Sequence, residues 1–310
     1  MSHRIVTVGY AEMDMTVHMN ALPCAGETRK EEGALIFSPG GIAAPAAVML
    51  ARLGCESVFC ARVGDDLNGR RLRKFYDDTG IDTSHLSLAP SQPTCTACVI
   101  TEKNGSTRRT VFAGAADTIS LHHIEDALSA PCDALYLSLE APIEIVSAAA
   151  GIAKENETPI FLDGAPSYGD IDLSTLPPVT VFSPNDDETE ALTGIRPAGT
   201  DSALLAALAL QKLVTARYYV IKLGERGAFI YDGIYCHSAA AFVVPITDRT
   251  GAGSAFTAAL CASYLENGDI LKAARFANAA AAIVLQRKGL FASLPTRAEI
   301  DAVLARRASY

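Results

Sequence analysis

Ala134-Leu-Tyr-Leu-Ser138, then Ile143 to Glu155, then Pro159-Ile-Phe-Leu-Asp163: an apolar run, a helical stretch and a second apolar run follow one another without a break. The two runs are near-continuously apolar, as strands covered on both faces are. A helix of thirteen residues between two such strands carries the chain back to the same end of a sheet, so the strands lie parallel. The same alternation extends outward. Ile5 to Gly9, Ser57 to Gly64, Thr180 to Ser183 and Tyr218 to Leu223 read as strands, with Ala43 to Leu53 (closed by Gly54) and Asp201 to Thr215 as helices. The expected fold is α/β, one domain over 1–310 with a doubly wound, mostly parallel sheet. Near the C-terminal end Ala228 to Tyr231 and Tyr235 to Ser238 flank Asp232-Gly233, a two-residue hairpin signal that predicts an antiparallel edge.

Two stretches break the alternation. Thr16 to Phe37 has no helical period, and Thr94 to Phe112 reads as two strands around Asn104-Gly105. Insertions at about 15–38 and 94–113 therefore predict a small β-sheet lid set against the main body. Such a layer covers a site as a lid or pairs with a second subunit, the alternative being a surface decoration with no function.

The 310 residues carry 26 Lys+Arg against 35 Asp+Glu, a net charge of −9, and 49% are hydrophobic. That is apolar enough for a large core and excludes disorder. The acidic balance argues against nucleic acid or an anionic membrane as partner. Met1 to Gly9 reads as a strand rather than a targeting segment. The long uncharged stretch Gly33 to Ala51 is interrupted by Ser38, Pro39, Gly40, Gly41 and Pro45, so no membrane span is expected. Eight scattered cysteines suit reduced thiols in a cytoplasmic protein. Cys95-Thr-Ala-Cys98 has no second pair or His cluster beside it and reads as strand filler rather than a zinc or redox site.

Chemistry concentrates in Asp248-Arg-Thr-Gly251-Ala252-Gly253-Ser254-Ala-Phe256. Phe256, Leu260 and Tyr264 then recur at i, i+4, i+8, and Gly268 ends the helix. Glycines at a helix start aim free N–H groups and the positive dipole end at one spot, an anion site. Pro184-Asn185-Asp-Asp-Glu188 follows the strand Thr180 to Ser183, at the strand end where open α/β sheets bind ligands. Asn185 and Glu188 suit a hydrated Mg²⁺ beside phosphates, which uses one or two carboxylates plus waters. Lys222-Leu-Gly224-Glu-Arg-Gly227 lies at another strand end, with glycines that let a flat ring approach; Pro39-Gly40-Gly41 opens a helix, and Asp14 stands just past the first strand.

This ordered set resembles the ribokinase-like (pfkB-type) carbohydrate kinases, the ribokinase branch most of all. The likeness also includes Ala51-Arg-Leu-Gly54, Val63-Gly-Asp-Asp66 with Gly69, Leu137-Ser-Leu-Glu140-Ala-Pro, Leu192-Thr-Gly194 and Ala277-Asn278-Ala-Ala, and runs nearly end to end. The resemblance implies a ribokinase-like fold and phosphoryl transfer from ATP to a sugar hydroxyl. Gly251, Ala252 and Gly253 would form the anion hole; Asn185 and Glu188 would organise Mg²⁺, Glu188 indirectly. Lys222, Gly224, Gly227 and Asn278 would lie along the nucleotide. Asp248 would serve a monovalent cation, expected to be K⁺, with the segment Gly289 to Ser293 completing that site. Asp14, Gly40, Gly41 and Glu140 would contact the sugar, since each carboxylate accepts from neighbouring hydroxyls. The lid would join a homodimer.

Two departures qualify that picture. The family motif ends in an Asp that takes the proton from the attacking hydroxyl, and this chain has Ser254 there. A neutral hydroxyl is no base near pH 7, and general-base assistance contributes ~10²–10⁴-fold. Slow turnover is expected. Three explanations stand beside one another: a substitution in an otherwise ordinary kinase, a natural relative that binds sugar or nucleotide without catalysis, or another acid, Asp14 or Glu140, taking the proton through water. The intact remainder of the phosphate-side motifs favours the first. Pro45 stands where ribokinases carry a sugar-binding Asn and Glu12 also replaces an Asn, so the sugar is unspecified, and a nucleoside kinase is a further alternative. Arg29, Lys30 and Arg109 are candidates for reading an acidic or phosphorylated sugar, or else solvated strand edges. His122 and His123 read as surface or helix-start residues.

Overall fold

A computed structural model describes residues 2–104, 106–165 and 171–306. The turn residue Gly105 lies outside the described residues. The order of elements is β1 (Arg4–Val8), β2 (Glu12–Met19), β3 (Ile36–Gly40), α1 (Ala43–Arg52), β4 (Glu56–Gly64), α2 (Leu67–Asp77) and β5 (Leu86–Ala89). It continues through β6 (Thr96–Glu102), β7 (Thr107–Phe112), α3 (Leu121–Ala127), β8 (Ala134–Ser138), α4 (Ile143–Glu155), β9 (Ile160–Asp163) and β10 (Val179–Ser183). Last come α5 (Asp186–Thr193), α6 (Thr200–Leu210), β11 (Ala216–Lys222), β12 (Ala228–Tyr231), β13 (Cys236–Ala239), α7 (Ala252–Asn267), α8 (Ile270–Leu285) and α9 (Arg297–Arg306).

The large sheet runs β13-β12-β11-β10-β9-β8-β1-β4-β5. It is parallel from β11 to β5, and the β12–β13 hairpin supplies the antiparallel edge. Burial of β8 and β9 at every position agrees with their uninterrupted apolar sequence. Two apolar clusters flank the sheet, one containing α1, α7 and α8, the other α4 and α6. Helix α7 is buried from Ser254 to Tyr264 without a polar face, so it forms the inner layer, and each fully buried Leu or Phe there contributes about 1.5–3 kcal/mol. Helix α6 ends at Leu210 rather than Thr215; Leu213 turns back onto Leu210 O.

The two stretches outside the βαβ pattern meet in a second sheet of order β3-β2-β6-β7. Its central pair β2–β6 is parallel, with Met13 beside Thr96, and both outer pairs are antiparallel. Asp14 follows the first strand, as expected, and lies within β2, which starts at Glu12 after the Gly9–Ala11 bend. Register puts Asp14, Thr16, Ala97, Val99, Arg109 and Val111 on one face of this sheet, and Phe37 and Phe112 on the other. Cys95 and Cys98 are free thiols, Cys95 just before β6 and Cys98 within it. His123 completes a capping box with Ser120 at the start of α3. No helix among the described residues is long and apolar enough to cross a membrane.

Candidate active site

Helix α7 starts from Gly251 in the left-handed region, φ +83°, where a side chain costs roughly 1–2 kcal/mol. Ala255 N makes the first helical bond, to Gly251 O at 2.9 Å, and Ala252 N turns back to Arg249 O at 3.3 Å. The N–H groups of Gly253 and Ser254 are left for an anion at the positive end of the helix.

Beside that loop lies a buried ammonium. A Cβ on Gly253 would stand 3.8 Å from Lys222 Nζ. Lys222 Nζ donates to Asp163 Oδ1 at 2.9 Å and to Thr257 Oγ1 at 3.4 Å. Asp163 in turn accepts from Tyr136 Oη at 2.9 Å and from Ala165 N at 3.2 Å. Asp163, Asn185 and Lys222 stand at the carboxyl ends of the neighbouring strands β9, β10 and β11, where an open parallel sheet gathers ligand-binding groups.

Asn185 caps α5. Its Oδ1 accepts from Glu188 N at 2.8 Å, and Glu188 accepts from Asn185 N at 2.7 Å and Nδ2 at 2.6 Å. Burial, opposed by Lys222, pushes Glu188 up to about 7, so a cation nearby would favour its charged form. No group of three or more His, Cys, Asp or Glu suited to a metal is present among the described residues. Glu188 and Asp163 nonetheless fit a Mg²⁺ held mainly by phosphates and water, the ion's usual arrangement.

Across the site the small sheet contributes Asp14 and Arg109. Glu12 is fully buried and pairs with Arg109, whose Nη2 is also 3.9 Å from Asp14 Oδ1. Burial, a hydrogen bond with Glu12 and repulsion from Glu12 push Asp14 up to about 7. Arg109 is thus already matched by carboxylates, which weakens the acidic-sugar expectation. Arg29 bonds Glu27 in the exposed segment between β2 and β3, and Lys30 is exposed in that same segment, away from the site.

One cavity of about 190 Å³ collects Asp14, Gly41, Arg109, Asp163, Asn185, Glu188, Lys222, Gly251, Gly253 and Ser254. The other expected residues are not part of this lining. A Cβ on Gly40 would lie 2.4 Å from the Asp14 carboxyl carbon, so Gly40 seats that side chain. Glu140 is buried and accepts from the N–H groups of Tyr10 at 2.9 Å, Ile42 at 3.0 Å and Ala43 at 2.9 Å, holding β1 against the start of α1. At Gly227 the missing side chain is used by the protein itself, since a Cβ would meet Ala239 O at 2.0 Å; at Gly224 the space is open. Asn278 donates to Ala239 O and Ala240 O and ties α8 to the end of β13. Ala252 is the first residue of α7. Asp248 accepts from Thr250 N and Oγ1 and, at 3.1 Å, from Gly289 N, which brings the 289–293 segment beside it.

A family profile described as pfkB family carbohydrate kinase matches residues 2–297. The chain belongs to that family. It is 30% identical to the ribokinase of Haemophilus influenzae, over 96% of this chain and 97% of that one. It is 27% identical to the deoxyribokinase of Salmonella typhi, over 97% and 98%. The structure of Arabidopsis thaliana ribokinase complexed with ribose and ATP superposes with a TM-score of 0.84 at 26% identity, covering 98% of this chain and 99% of that one. The ribokinase-like fold and the carbohydrate kinase class expected from the motifs are both correct. Asp163 is the residue of this kinase that motif reading passed over, visible only as the polar end of an apolar strand. Glu12 appeared there as a mismatch, with no sign that it would pair with Arg109.

Proposed function

We propose that this carbohydrate kinase transfers the terminal phosphoryl group of ATP to a hydroxyl of a sugar or sugar derivative, slowly for want of a carboxylate at position 254. The observation that carries this reading is one cavity with two chemistries. On one side are the open N–H groups of Gly253 and Ser254 with the Lys222 ammonium; on the other is the Asp14 carboxyl on the small sheet. The first suits a transferring phosphate, the second a polyol. The relatives support it, the Arabidopsis enzyme having been solved with ribose and ATP.

In the reaction the hydroxyl oxygen attacks phosphorus, the bond to the leaving diphosphate breaks, and positioning with electrostatic stabilisation does most of the work. The glycine loop and Lys222 would meet the charge that develops on the phosphoryl oxygens. Asn185, Glu188 and Asp163 would hold Mg²⁺ through water, Glu188 indirectly; the ion would neutralise phosphate charge. Gly224 would border the nucleotide with Asn278 and Gly227 shaping the wall behind it. Asp248 with the 289–293 segment would take a monovalent cation, K⁺. Gly41 and Asp14 would border the sugar, with Gly40 and Glu140 bracing them. The small sheet would act as lid and as the contact of a cytoplasmic homodimer.

Ser254 favours a second reading, a relative that binds sugar and nucleotide without turnover. ATP consumption over a panel of pentoses, hexoses, sugar acids and nucleosides separates the two. Ser254→Asp should raise kcat, by at most the ~10²–10⁴-fold that a general base contributes. No turnover by either chain, with sugar binding intact by calorimetry, would establish the binding protein instead.

A further inference from the structure

We propose that Asp14, supported by Glu12 and Arg109, is the proton acceptor in this chain, occupying the role left open by Ser254. The inference rests on the kinase reading above and adds the group that completes it.

Among the described residues three carboxyls line the cavity: Asp14, Asp163 and Glu188. Asp163 already accepts from Lys222, Tyr136 and Ala165, so neither of its oxygens is without a partner. Both oxygens of Glu188 are taken by Asn185. Glu140 does not line the cavity, and three backbone N–H groups saturate it. Asp14 lines the cavity and alone of these has a carboxylate oxygen, the buried Oδ1, without a hydrogen-bond partner among the described residues.

Its surroundings suit the task. Glu12 on the same strand and face repels the Asp14 charge and shares a hydrogen bond with it, and Arg109 from β7 opposes that repulsion. Cys95 lies against Glu12 at 3.7 Å, and Tyr76 from α2 and Glu140 face the same buried cluster. Proton affinity near neutrality, Asp14 standing at about 7, is what an efficient general base needs at physiological pH. The neutral Asn expected at position 12 would give no such repulsion. In the step itself the substrate O–H proton passes to the Asp14 carboxylate, the hydroxyl oxygen forms its bond to the γ-phosphorus, and ADP departs with the electrons of the broken P–O bond.

The test is kinetic, in two backgrounds. In the chain with Ser254, Asp14→Asn should lower kcat by ~10²-fold or more. With Ser254→Asp also present, the same Asn substitution should act mainly on KM and lower kcat by less than about tenfold. The pH profile adds a readout that lost sugar contacts would not move: kcat should rise as pH rises through about 7, because the carboxylate form is the active one. Glu12→Gln, which removes the repulsion, should shift that limb to lower pH and keeps the fold in view if Asp14→Asn is unstable. Equal kcat losses from Asp14→Asn in both backgrounds, or a limb unmoved by Glu12→Gln, overturn the assignment while the kinase reading stands. Absence of phosphoryl transfer in every chain overturns both.

Discussion

Asp163 and Lys222 hold opposite charges 2.9 Å apart where water scarcely reaches. Neither was placed there by packing alone. Each ends an apolar strand, and the parallel sheet brings the two strand ends to either side of Asn185. Removing one partner of a buried pair leaves an uncompensated charge, a loss of about 3–5 kcal/mol. Asp163→Ala should therefore reduce unfolding free energy by that amount in urea denaturation; a change below about 1 kcal/mol would mean that the ammonium is solvated. At this scale legibility was uneven. Asn185 and Glu188 were readable because a capping box is local, three residues apart. The Asp163–Lys222 and Glu12–Arg109 pairs span long stretches of chain, and no spacing rule announces a contact made by topology.

At the scale of elements, strands with continuous apolar runs and helices closed by glycine were legible nearly to the residue. Ala134–Ser138 and Ile143–Glu155 have the bounds that their patterns suggest. Helix α2 was not, although its buried Gly69, Leu72 and Tyr76 fall at i, i+3, i+7 on one face, because charged and polar residues fill most of the rest. Strand β5 is four residues at the sheet edge and escaped for a similar reason. The small sheet bears on assembly. Phe37 is 45% and Phe112 64% exposed on the face turned away from Asp14, an apolar display that suits a partner. If that face joins a homodimer, replacing both phenylalanines with Ser should halve the mass seen by sedimentation equilibrium; an unchanged dimer mass would place the contact elsewhere.

For the whole molecule, the doubly wound architecture with a small second sheet was readable because alternation is a property of long stretches, which tolerate local exceptions. How the two sheets share the chain was not. Strand β2 belongs to one and β1 to the other, separated by three residues. A related feature is that α1 packs against α7, the helix that begins at the glycine loop. The buried positions Ala43 to Leu50 are thus covered by a segment made some two hundred residues later in synthesis. Closing so long a loop delays the contacts that reward it. The N-terminal third consequently waits, apolar side uncovered, for the phosphate loop to arrive, and the anion site is among the last parts to take shape. Pulse-labelled hydrogen exchange during refolding should find α1 and α7 amides protected in the same phase. Protection of α1 in an earlier phase would show that the first third of the chain folds on its own.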